Sequence, residues 1–128
     1  MTGDLHGRRA VSLTIPALAG YVGLPRLALV AVCAQTALDA EGVTDLKLAL
    51  TEAAHAFVSE DGVAPGQLSF RFSLEHDRLV IDIEGRALRR IATEESELSE
   101  AILGATVDEW ARDESGVHLV KHLVPADE

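Results

Sequence analysis

The sequence has little cysteine, few aromatic residues and few basic residues. Of its 128 residues one is cysteine and 4% are aromatic, and 11 Lys and Arg stand against 21 Asp and Glu. Because a lone thiol has no internal partner, Cys33 cannot form an intramolecular disulfide, and its apolar neighbours favour a buried, inert side chain. With no second aromatic residue nearby, Trp110 is expected to pack on a sheet and not to stack on bases.

The charge balance and the missing apolar runs disfavour two classes of partner. A formal net charge of -10 would repel a phosphate backbone, so we expect no nucleic acid to bind. The same charge suits a basic protein partner, or serves only to solvate the surface. No apolar run reaches the roughly 20 residues of a membrane span, and no signal-peptide core follows Arg8 and Arg9. We therefore expect a soluble, cytoplasmic protein without membrane contact.

The length and the apolar content predict one domain. The hydrophobic fraction of 48% is enough for one core between two layers. Residues 1–10 are interpreted as a flexible leader, and residues 11–128 as the single domain.

The first half of the domain predicts a strand and two helices. Val11, Leu13 and Ile15 alternate with polar residues up to Pro16, as in a half-buried strand. A first helix begins near Pro25 and runs to a turn at Glu41-Gly42. Its apolar residues at helical spacing are Leu24, Leu27, Ala31, Ala34 and Leu38. A second helix, capped by Thr44, ends before Asp61-Gly62. Its apolar stripe is Leu46, Leu50, Ala53 and Phe57.

The second half predicts two hairpins around a third helix. Alternating apolar residues at 68–74 and 79–83 flank a polar turn at 75–77 and indicate a β-hairpin. A third helix begins at Thr93, with glutamates outside and a buried stripe. That stripe is Leu98, Ile102 and Ala105. Extended segments around 109–112 and 117–124 form a last hairpin. The order predicts an α+β fold, a two-layer sandwich in which helices cover one face of a mostly antiparallel sheet.

The segment Leu46–Val58 resembles the second helix of the anti-sigma-factor serine kinases, members of the histidine-kinase-like ATPase (GHKL) superfamily. Segments Leu13–Ala17 and Tyr21–Leu27 are similar to the family's first strand and first helix, and Gly116–Leu123 to its closing hairpin. The resemblance covers about Val11 to Val124. It implies an α/β sandwich that clamps ATP between its helices and a lid, and phosphorylation of a serine on an anti-anti-sigma protein.

Two of the family's nucleotide motifs are degenerate in this chain. Glu52 matches the glutamate that acts as base, but Ala56 stands at the asparagine that holds magnesium. In the turn that reads adenine, Ile83 replaces the aspartate and only Gly85 remains. Glu52 is therefore either a kinase base or a leftover helix carboxylate, and Ala56 and Gly85 are vestigial cofactor positions.

The third motif is a glycine-rich phosphate cradle before the last helix, and here the matching stretch is Glu97-Leu98-Ser99, preceded by Glu94, Glu95 and Ser96. Carboxylates there satisfy the helix dipole and repel a triphosphate. The chain between Gly85 and this helix is also short for a lid. We expect no cofactor, with Mg-ATP only in the alternative interpretation.

The resemblance also implies a protein-binding surface on the first helix. Arg26 matches an arginine that contacts both the sigma factor and the anti-anti-sigma protein, and Tyr21 and Pro25 flank it. Arg26 is either this interface anchor or an ordinary exposed arginine. Our hypothesis is a homodimeric, anti-sigma-like regulator that binds one of these partners without ATP. The alternatives are a working serine kinase and a subunit that dimerises with an intact kinase.

The histidines do not predict a metal site. On a strand, His118 and His122 lie ~13 Å apart and cannot share an ion. His55 and Glu52 have helical ligand spacing, but two candidate ligands make no site, so a surface histidine is expected.

Overall fold

A computed structural model describes residues 9–63, 66–88 and 93–123 of the chain. The strands are β1 (Arg9–Pro16), β2 (Gln67–Leu74), β3 (Arg78–Glu84), β4 (Glu109–Asp113) and β5 (Gly116–His122). The helices are α1 (Gly23–Cys33), α2 (Ala40–Ala54) and α3 (Thr93–Thr106). Short 3₁₀ helices cover Ala19–Tyr21 and His55–Phe57. No helix within the described residues is long and apolar enough to cross a bilayer.

The five strands form one antiparallel sheet in the order β1-β2-β3-β5-β4. Its inner face is apolar because each strand alternates, and Phe70, Phe72 and Ile81 are at most 1% exposed there. The predicted α+β sandwich is confirmed. β1 begins at Arg9, so the last two residues of the predicted leader 1–10 belong to the strand, and residues 1–8 lie outside the described residues.

Helix α2 packs through the predicted stripe, but it begins earlier than predicted. Leu46 and Leu50 are fully buried. The N-cap is Asp39, whose Oδ1 accepts a hydrogen bond from the Gly42 N–H at 2.8 Å, and Thr44 is exposed inside the helix. Glu41-Gly42 is therefore not a turn. Gly42 suits the first helical turn because a Cβ there would lie 3.1 Å from Leu38 Cδ2.

The end of α2 was also predicted too late, since the helix stops at Ala54 and continues as the 3₁₀ helix His55–Phe57. Phe57 is nevertheless buried, as predicted.

The predicted apolar stripe of α1 is not its buried face. Leu24 and Leu27 are 49% and 68% exposed, whereas Leu29 is fully buried and Cys33 is 3% exposed. Burial raises the pKa of the Cys33 thiol. The helix also ends at Cys33 and not near Leu38. Because the segment is apolar on almost every side, periodicity alone could not identify the face that packs on the sheet.

Helix α3 is rotated relative to the prediction. Leu98 is 64% exposed, whereas Leu103 is fully buried and two small polar residues, Ser99 and Thr106, are 2% and 5% exposed. Thr106 Oγ1 donates to the Ile102 carbonyl at 2.7 Å. The buried hydroxyls are hydrogen-bonded, which removes the usual penalty for placing them inward.

Both predicted hairpins are present. In the turn between β4 and β5, Asp113 Oδ1 accepts hydrogen bonds from the backbone N–H groups of Ser115 and Gly116. The Ser115 bond, above all, lowers the pKa of the Asp113 carboxyl. The carboxylate therefore stabilises the turn above its unfolded pKa, and this contribution is lost as pH falls through the folded value. Trp110 is partly buried against the core, as predicted, and Val124 lies outside the described residues.

The capping geometry gives a paired test. Asp39→Ala removes the side chain that satisfies the Gly42 N–H and should lower the free energy of unfolding by about 1 kcal/mol. Thr44→Ala should leave it unchanged or raise it by up to about 0.5 kcal/mol, because alanine is the better residue inside an exposed helix. Urea denaturation of both variants measures the difference. A larger loss for Thr44→Ala would mean that the helix begins at Thr44.

Candidate functional site

One side of α1 presents apolar side chains to solvent, with an arginine at the edge. Tyr21, Leu24, Leu27 and Val30 are 43%, 49%, 68% and 40% exposed, and Arg26 is exposed beside Val30. We call these five residues the α1 surface. They lie together because residues three and four apart share a helix face and Tyr21 directly precedes the helix. Contiguous apolar side chains of this kind mark surfaces that other molecules cover.

Two of the three predicted partner-contact residues, Arg26 and Tyr21, are exposed on the α1 surface, and the third is not. Pro25 is buried in the first turn of α1. A proline fits that turn because its fixed φ suits a helix and no N–H is lost. Pro25 therefore shapes the start of the helix and is not available for contact.

A cleft of about 620 Å³ lies between α2, the segment after β3, α3 and the β4–β5 turn. Its lining residues are Glu52, Ala53, Ala56, Phe57, Arg86, Ala87, Leu88, Ser96, Arg112, Asp113 and Glu114. The cleft thus brings together Glu52 and Ala56, two of the residues to which the sequence resemblance points. Its walls are apolar near Phe57 and charged at the rim.

The end of α2 offers the cleft one carboxylate and no second metal ligand. Glu52 lies in the last turn of α2, and Ala56 lies in the 3₁₀ helix that follows. The Ala56 side chain is a methyl group, and its carbonyl accepts a hydrogen bond from the Leu88 N–H at 2.8 Å. Among the described residues no group of three or more His, Cys, Asp or Glu side chains could hold a metal ion. The Ala56 side chain therefore supplies no ligand atom at this position.

The residues after β3 are placed by packing. Ile83 is 1% exposed on the inner face of the sheet, while its neighbour Asp82 lies on the outer face, where Oδ1 is 2.6 Å from His118 Nδ1. Asp82 therefore cannot replace Ile83 as an acceptor in the cleft. Gly85 donates its N–H to the Ser115 carbonyl at 3.0 Å, and a Cβ at this position would lie 2.5 Å from Leu68 Cδ1. Close packing alone accounts for this glycine.

On the α3 side the cleft is lined by Ser96 and by Arg112, an arginine that the sequence analysis did not identify. Glu94 and Glu95 lie in the first turn of α3. Arg112, on β4, donates to Ser99 Oγ at 2.8 Å and to Ser96 Oγ at 3.1 Å. Residues 89–92, directly before α3, lie outside the described part of the chain.

The histidine pairs lie away from the cleft. Both His118 and His122 are on β5, as predicted, and each approaches a different carboxylate. His118 lies next to Asp82, as described above, and His122 Nε2 lies 3.0 Å from Glu109 Oε2. These pairs connect β5 to its two neighbouring strands. His55 is exposed, as expected of a surface histidine.

The helices on one face of an antiparallel sheet, with a cleft beside α2, define an α+β sandwich consistent with the histidine-kinase-like ATPase fold. No family model matches the chain. The serine-protein kinase RsbW of Bacillus pumilus (strain SAFR-032) is 30% identical to it over 120 residues, a match that covers 89% of this chain and 74% of the relative. The chain belongs to the anti-sigma-factor serine kinase family.

Gly85 gives a test of packing at the cleft. Gly85→Ala forces a methyl group into Leu68 and should lower the free energy of unfolding by about 1–3 kcal/mol. Gly104→Ala is the matched control, because Gly104 lies inside α3 with nothing within 4 Å of a Cβ. It should raise stability by about 0.5–1 kcal/mol. Equal stability of Gly85→Ala and the unmodified protein in urea denaturation would contradict the packing explanation.

Proposed function

We propose that the protein is an anti-sigma-like regulator that binds a sigma factor or an anti-anti-sigma protein through the α1 surface, without ATP. The α1 surface carries the proposal, since four apolar side chains and one guanidinium are exposed together on one helix and its preceding turn. The relative in Bacillus pumilus is named a serine-protein kinase. Family membership and this surface together support a partner protein as the ligand.

The chemistry of the α1 surface suits a partner with a carboxylate inside an apolar patch. The planar donors of Arg26 can make two parallel hydrogen bonds to one carboxylate. Leu27 beside it and Val30 one turn along would exclude water from that ion pair, as the apolar surroundings of an interface anchor do. The partner should therefore present an Asp or Glu flanked by apolar residues.

The absence of a nucleotide requirement is supported by the residues at the three motif positions to which the family resemblance points. Ala56 supplies a methyl group where a metal ligand would be needed, and Ile83 is buried where an adenine acceptor would be needed. Glu94 and Glu95 would repel a triphosphate at the start of α3.

We also propose a homodimer in the cytoplasm, as the family resemblance implies. Val11, on the edge strand β1, is 46% exposed, and α1 packs beside this strand. A second copy could cover this edge and leave the α1 surface free for the partner. Analytical ultracentrifugation of the purified chain decides between monomer and dimer.

The alternative is an active ATP-dependent serine kinase that phosphorylates an anti-anti-sigma protein. The observation in its favour is the cleft itself, which is large and has Glu52 in its wall. In that case Glu52 would act as the base that accepts the substrate hydroxyl proton.

Partner binding gives the first test. The tagged protein, incubated with native lysate, should retain a sigma factor or an anti-anti-sigma protein that mass spectrometry identifies. With that partner purified, Arg26→Glu and Leu27→Asp should each weaken binding at least about tenfold in calorimetry, because each removes a central contact.

Leu98→Asp is the matched control, since Leu98 is 64% exposed on α3, a helix separated from α1 by α2. It should bind the partner as the unmodified protein does. The proposal fails if neither class of partner is recovered, or if all three variants bind equally well.

Nucleotide binding gives the second test. Mg-ATP and Mg-ADP at millimolar concentration should leave the melting temperature unchanged, because a ligand raises it only by binding the folded state. Two results together would establish the kinase instead. The melting temperature would rise saturably with nucleotide in both the unmodified protein and Glu52→Gln, and only the unmodified protein would transfer phosphate to an anti-anti-sigma protein.

A further inference from the structure

The side chain of Arg112 joins β4 to α3 along one wall of the cleft. Its Nη1 donates to Ser99 Oγ at 2.8 Å and its Nη2 to Ser96 Oγ at 3.1 Å. The same Nη2 lies 3.7 Å from Glu100 Oε2. The guanidinium carbon lies 5.7 Å from the centre of the Trp110 ring. One side chain therefore contacts three residues of α3 and one of its own strand.

The bond between Arg112 and Ser99 is protected from solvent, whereas the Glu100 side chain is 51% exposed. The Arg112 side chain is 19% exposed, and Ser99 is 2% exposed. Among the described residues no buried side-chain nitrogen or oxygen lacks a hydrogen-bond partner. Without Arg112 the Ser99 hydroxyl would lose its guanidinium partner inside the protein, where water cannot easily replace it.

The guanidinium group of Arg112 is already engaged with α3. Two of its N–H groups already bond to α3, and Glu100 is near enough to balance part of its charge. The cleft lining has no net positive charge, because it contains three carboxylates and two guanidinium groups. These belong to Glu52, Asp113, Glu114, Arg86 and Arg112.

We propose that Arg112 fixes α3 to β4, so that the cleft keeps its shape with no ligand. Arg112 is a positioning residue in this proposal. If the proposed function is also correct, the affinity for the partner protein will not change with the ratio of ATP to ADP. This expectation rests on the proposed function.

Hydrogen exchange of the α3 backbone tests the proposal on the full chain. Arg112→Ala and Arg112→Lys should both exchange their α3 amides at least about tenfold faster, since a lysine cannot make two parallel bonds to Ser96 and Ser99. Arg86→Ala is the control, because Arg86 lines the same cleft but is exposed. It should exchange as the unmodified protein does.

A double-mutant cycle separates this contact from a general loss of stability. Ser99→Ala should speed α3 exchange by itself, and should add little in the Arg112→Ala background, because both changes remove one interaction. If Arg112→Ala does not fold, Ser99→Ala alone must still show the faster exchange in α3.

The ligand arm uses Mg-ATP and Mg-ADP with the unmodified protein. Neither should slow exchange in α3. Protection of α3 by either nucleotide would overturn the proposal, and so would an Arg112→Ala variant that exchanges like Arg86→Ala. No partner protein is present in these exchange measurements. The proposal for Arg112 can therefore fail while the partner-binding test succeeds, and partner binding can fail while the proposal for Arg112 holds.

Discussion

The single apolar face of the five-stranded sheet is the constraint on which the rest of the structure depends. Phe70, Phe72, Ile81 and Leu119 on that face are at most 1% exposed, and burying them requires a layer of helices. The middle of that layer is α2, which contacts both α1 and α3. Helices α1 and α3 therefore cover the parts of the apolar face on either side of α2.

That constraint explains why the two flanking helices carry the functional features. Helix α1 has apolar residues on more sides than the sheet can cover, and the surplus, including Leu24 and Leu27, remains in solvent. Exposed leucines on one helix are consistent with a partner that covers them. Helix α3 instead has glutamates outside and small hydroxyl residues inside, so it is held by Arg112 as well as by apolar packing.

Much of the fold could be predicted from the sequence because most strands alternate strictly. The hairpin formed by β2 and β3 has apolar residues at every second position, and its turn follows from the polar residues between them. The stripe of α2 was also correct, since Leu46 and Leu50 have polar neighbours that mark the outer face. The cap at Asp39 was missed because Gly42 was interpreted as a turn and not as a residue in the first helical turn.

The flanking helices and the cleft were less predictable. In α1 two apolar faces compete, and only contact with the sheet selects the one that contains Leu29. In α3 Ser99 points inward because Arg112, thirteen positions along the chain, supplies a hydrogen bond. No local pattern signals that pairing. Glu52 and Ala56 were located at the cleft through the family resemblance, and Gly85 required coordinates to show its contact with Leu68.

The central claim is that the protein binds its partner through the α1 surface and needs no nucleotide to do so. The most direct measurement is the dissociation constant of the purified partner, a sigma factor or an anti-anti-sigma protein, with and without Mg-ATP. The account predicts that the two values agree within about twofold. Binding that requires Mg-ATP, or that it strengthens by about tenfold or more, would contradict the claim.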